Sequence, residues 1–99
     1  MTRSMLERRL TEVSEQLKRL RRELAVADEQ LAHFAGEADE ARLRSLVSET
    51  PLAEREHREA QRHAEAMSRH RAELLSSIER LERTQDELLD KLIAAGRDR

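Results

Sequence analysis

Four histidines and a high density of glutamates are the side chains here with the richest chemistry. Glu54 and His57 are three residues apart, Glu59 and His63 four, and His63 and His70 two helical turns, so on a helix each pair would share a side. Nitrogen and oxygen ligands in that pattern suit a divalent transition metal. A metal site in a helical bundle, however, needs such a pair on each of two helices and further carboxylates converging on it. The first half of the chain offers only His33, and His63 and His70 fall on outward or flanking positions. No metal and no other cofactor is therefore expected. With no cysteine, neither a disulfide nor a thiolate site is possible. No nucleophile has a plausible base and orienting group beside it, and no fold is in prospect that would enclose a pocket, so no enzymatic activity is expected.

One further constellation bears on ligands. Glu73, Ser77 and Arg80 resemble the start of the pattern E-x3-S-x2-R-x3-Q-x3-D of helical-hairpin anti-sigma factors that bind cyclic di-GMP. The resemblance implies a ligand-binding role for these three residues, with Arg80 placed to contact a guanine edge or a phosphate. It departs after Arg80, because Thr84 stands where the glutamine should be and Leu88 where the aspartate should be.

These residues have to be positioned by two long apolar stripes. In the first half, apolar residues recur at Leu6, Leu10, Val13, Leu17, Leu20, Leu24, Ala27, Leu31, Phe34, Ala38 and Ala41, in alternating steps of four and three. The second half repeats the alternation through Ala53, His57, Ala60, Ala64, Met67, Arg71, Leu74, Ile78, Leu81, Gln85, Leu88, Leu92 and Ala95. The expected fold is all-α, an antiparallel two-helix coiled-coil hairpin forming a single domain over 1–99. If the chain reverses near residue 49, Leu10 faces Leu88, Leu17 faces Leu81, Leu24 faces Leu74 and Phe34 faces Ala64.

The turn signal is Ser48-Glu49-Thr50-Pro51. Proline fixes its own φ, lacks an N–H and pushes the preceding residue out of the α region, so Pro51 suits the first turn of a new helix and Thr50 its N-cap. This predicts helices over 5–47 and 51–95 with a turn at 48–50. Ser4 with Glu7 reads as a capping box and Gly96 as a left-handed stop. Gly36 marks a weak point inside the first helix, because the seam stays in phase through Ala38 and Ala41.

Some residues fall off the seam. Leu43, Leu46, Val47 and Leu52 form an outward apolar patch flanking the turn, rimmed by Glu37, Asp39, Glu40 and Glu49. Such a patch is a candidate partner-binding site unless the turn region folds over it or a second copy covers it. Polar residues at seam positions, His57, Arg71 and Gln85, would set register; the Arg71 head is expected to reach Asp28. Surface pairs Glu15–Arg19, Glu54–Arg58, Glu65–Arg69, Glu79–Arg83 and Glu87–Lys91 have the favourable order for i,i+4 support. At the open end Leu75, Leu89 and Ile93 widen the stripe beyond what one helix covers, which predicts two hairpins joined in a four-helix bundle.

Composition bounds the rest. With 40% charged and 1% aromatic residues, the chain can build an apolar stripe but no ordinary globular core. Its formal net charge of -2 gives no reason to expect nucleic acid. No signal peptide or membrane-spanning run is evident, so a soluble cytoplasmic protein is expected. The stretch LAHFAGEADEARLRSLVSETPLAEREHREAQRHAE resembles that of small helical-hairpin proteins of actinobacteria, and the resemblance implies a bacterial cytoplasmic context without a catalytic motif. The expected function is a non-enzymatic protein-protein interaction or structural adaptor, binding itself and a protein partner. The alternative is a regulator of the transcription machinery that binds RNA polymerase or a sigma factor. It resembles the coiled-coil arm of secondary-channel factors, with Asp39, Glu40 and Glu49 near the turn, where carboxylates could influence a catalytic metal.

Overall fold

The computed structural model describes residues 2–97. They form two helices, α1 (Arg3–Ser48) and α2 (Pro51–Arg97), and no strand occurs among the described residues. The two helices pack against each other as an all-α helical hairpin. Each extends slightly past the expected 5–47 and 51–95, and the break narrows to Glu49 and Thr50.

The turn follows from its four residues. Glu49 adopts φ 48°, the left-handed region that ends a helix, and its N–H donates to the Ser45 carbonyl at 3.1 Å. Thr50 then starts α2: the Ala53 N–H donates to Thr50 Oγ1 at 3.2 Å and the Glu54 N–H to the Thr50 carbonyl at 3.1 Å. Pro51 occupies the first helical position, where its missing N–H has no partner to lose.

Two expected end signals are corrected. The cap of α1 is Thr2, whose Oγ1 accepts from the Met5 N–H at 3.2 Å. Ser4 lies inside the first turn, and Glu7 pairs with Arg3 Nε at 3.2 Å. A hydroxyl two residues earlier supplies the same acceptor and gains backbone hydrogen bonds for the helix. Gly96 does not stop α2, because no glycine has positive φ and the helix continues to Arg97. Glycine permits the left-handed conformation without imposing it. Gly36 lies within the unbroken α1, where glycine in place of alanine costs about 1 kcal/mol.

Burial follows the four-three alternation on both helices. The chain divides into two compact units: one comprises the chain up to Glu23 and from Leu74 onward, the other Leu24–Glu73. The cores of the two units differ in kind. The first buries Leu6, Val13, Leu17, Leu74, Ile78 and Leu88, and the second buries Ala27, Ala38, Ala41 and Ala53. Fully burying a leucine, isoleucine or valine stabilises by about 1.5–3 kcal/mol, whereas one methylene-sized group contributes about 0.8. The unit containing the turn is thus held by much less apolar burial.

Cross-helix polar contacts fix the register within each unit. In the first, Gln85 Nε2 donates to Ser14 Oγ at 3.2 Å, and Arg21 pairs with Glu82 at 3.6 Å. In the second, Arg71 Nε donates to Asp28 Oδ1, and His63 sits edge-on to Phe34 with ring centroids 5.7 Å apart. A register one heptad away would displace each pair by about 10 Å.

Candidate functional site

The Leu24–Glu73 unit carries the candidate interaction face. Leu43, Leu46 and Val47 have the i, i+3, i+4 spacing of one helix side, on the opposite flank of α1 from the buried Ala38 and Ala41. They are 61%, 60% and 85% exposed, and Leu52, on the first turn of α2, is 61% exposed. The turn region does not fold over these side chains. The structure therefore brings the four sequence-predicted docking residues to the surface on the two sides of one short turn. Exposed carboxylates of Glu37, Asp39, Glu40 and Glu49 lie near them in sequence, and Glu37 Oε1 is 3.2 Å from His33 Nε2.

The same unit has a groove of about 300 Å³, lined among others by Glu37, Glu40, Arg44, Glu56, Glu59 and His63. Its carboxylates are open to water and spread along both helices. Among the described residues no three histidine or acidic side chains converge as metal ligands. His63 is engaged with Phe34, and His33 with both Phe34 and Glu37.

The residues of the cyclic-dinucleotide pattern are arranged differently from the docking patch. The Arg80 guanidinium is drawn back along its own helix, donating to Ser77 Oγ at 3.1 Å and Ser76 Oγ at 3.4 Å. Thr84, where the pattern has glutamine, donates its hydroxyl to the Arg80 carbonyl at 3.1 Å. Glu73 belongs to the Leu24–Glu73 unit, whereas Ser77 and Arg80 belong to the other.

At the open end, Leu75 is half-buried, while Leu89 and Ile93 are 40% and 54% exposed. This flank is less exposed than the four residues beside the turn. Met5 and Val26 are further exposed apolar side chains that the four-three alternation does not include. Of the five expected i,i+4 surface pairs, Glu54–Arg58 forms at 4.0 Å. No ion pair joins Glu15–Arg19, Glu65–Arg69, Glu79–Arg83 or Glu87–Lys91 among the described residues, since solvated side chains gain little by meeting. The pairs Arg9–Glu12, at 3.5 Å, and Arg21–Glu82 appear as well. No described helix is long and apolar enough to cross a membrane.

Comparison with known protein families, with curated proteins and with solved structures finds no match.

Proposed function

We propose that this chain is a non-enzymatic interaction hairpin, in which the seam supplies stability and Leu43, Leu46, Val47 and Leu52 form the docking face. A cytoplasmic, bacterial setting and association with itself are parts of the same proposal. The observation that carries it is the exposure of four large apolar side chains within ten residues of chain. Covering solvated aliphatic surface of this kind is favourable, and a contiguous patch marks an interaction site more often than scattered residues do. Nothing in the fold of the unit uses these side chains.

The test is the double variant Leu46→Asp with Val47→Asp. It should keep the helicity and melting behaviour of the parent in circular dichroism, yet lose association through this face. A variant that unfolds would identify the patch as core and end the proposal.

A further inference from the structure

We infer that the docking face receives a basic amphipathic helix of another protein. That helix lies along the outward stripe of α1 from Glu29 to Val47, with its aliphatic side chains on Leu43, Leu46 and Val47 and its lysines or arginines on Glu29, Asp39 and Glu40. This rests on the reading of the apolar residues as a docking face and adds the chemistry of the partner.

Charge complementarity carries the assignment. With Leu24, Leu31 and Ala38 at position a of the seven-residue repeat, positions b, c and f face away from the seam. Between Ala25 and Val47 these are eleven residues, all exposed, and none is lysine or arginine. They comprise the carboxylates Glu29, Asp39 and Glu40, together with His33, and otherwise only alanine, glycine, valine and leucine. Elsewhere the same positions are well supplied with cations: Arg8, Lys18, Arg19 and Arg22 occupy them earlier in α1, and Arg55, Arg58, Arg62 and Arg69 in the α2 part of the Leu24–Glu73 unit. Arg42 and Arg44 stand at the flanking positions on either side of the stripe. Among the described residues Glu29, Asp39 and Glu40 make no ion pair.

The placing of the carboxylates suits a helix laid alongside. Asp39 and Glu40 precede Leu43 by one turn, and Glu29 lies about 15 Å before Asp39 along the axis. The stripe from Glu29 to Val47 runs for about 27 Å, which a facing helix spans in five turns. Glu40 also borders the groove whose lining adds Glu37, Glu56 and Glu59 against Arg44 and His63, so the acidic character continues round that flank. The unit as a whole has eleven Asp and Glu against seven Lys and Arg. Apolar burial would supply the affinity, while opposite charge would set orientation and discriminate between occupants. A second copy in this place would bring carboxylates onto carboxylates with no cation in the stripe to offset them, and a phosphate-bearing surface would be repelled likewise.

The test uses the purified full chain and two designed helical peptides of about twenty residues. They share one leucine stripe, and their other positions are lysine in one peptide and glutamate in the other. Binding is followed by fluorescence anisotropy, its location by NMR amide shifts and the helicity of each variant by circular dichroism. The lysine peptide should bind and shift amides of residues 39–47, and the glutamate peptide should not bind. Asp39→Arg with Glu40→Arg should weaken the lysine peptide by roughly tenfold or more. Glu79→Arg with Glu87→Arg, the same change of charge at exposed positions of the other unit, should leave it unchanged. A lysine peptide that does not bind, equal binding of the two peptides, or equal loss in the two charge variants would overturn the proposal. So would dimerisation of the wild type, or its binding to phosphatidylcholine vesicles, if Leu46→Asp with Val47→Asp abolishes it. In each of these cases the docking face stands while that double aspartate variant stays folded; if it unfolds, both fall together.

Discussion

At the scale of single residues, the turn makes the sharpest statements. Glu49 holds φ 48°, a conformation that costs a side-chain-bearing L-residue roughly 1–2 kcal/mol. Glu49→Gly should therefore raise the unfolding free energy by about 0.5–1 kcal/mol, the glycine's extra unfolded-state entropy offsetting part of the gain. Thr50→Ala should lower it by about 1 kcal/mol, because the Ala53 N–H loses its acceptor. Urea denaturation of the two variants beside the parent measures both effects. Thr50 and Pro51 were legible in the sequence because their chemistry is restrictive. Glu49 was not, since glutamate carries no preference for the left-handed region and takes it here only because α1 must end before a proline. Ser4 misled for the opposite reason. Two hydroxyls stand two residues apart, and either can cap a helix.

At the scale of the helices, legibility was high where a periodic pattern meets a buried face and low on the solvent side. Every position of the four-three alternation is buried or half-buried on both helices, because that stripe is the one each helix can bury against the other. Of the polar seam residues, Arg71 reaches the expected Asp28, and Gln85 reaches Ser14. Most of the surface ion pairs did not form, as charged side chains in water have little to hold them in one geometry. The two cores predict unequal protection. Amides in the Leu24–Glu73 unit, with its alanine core, should exchange faster than those around Val13, Leu17 and Ile78 when followed by native-state hydrogen exchange. Equal protection would show that burial of large side chains does not set the local stability. Gly36→Ala adds a second check: with open space at the Cβ position, it should stabilise the dilute monomer by about 1 kcal/mol. In thermal melts at low concentration, no gain would mean that the glycine serves the hairpin itself.

At the scale of the molecule, the seam and the docking face are separable. Leu17→Ala, at a fully buried position, should destabilise by about 2–5 kcal/mol and leave the chemistry of the turn region untouched, whereas Val47→Asp should do the reverse. The outward patch was legible as a break in periodicity, since Leu43, Leu46 and Val47 violate the alternation that surrounds them. What covers it was not legible, because a heptad pattern reports burial along one chain and is silent about faces that close only on association. The most direct measurement is site-specific photo-cross-linking with a benzophenone side chain at Val47, the most exposed apolar residue of the patch, and a matched probe at the exposed Glu65. Intermolecular adducts concentrated at Val47 are the predicted result. Equal and low yields at the two positions would contradict the assignment of this face to partner binding.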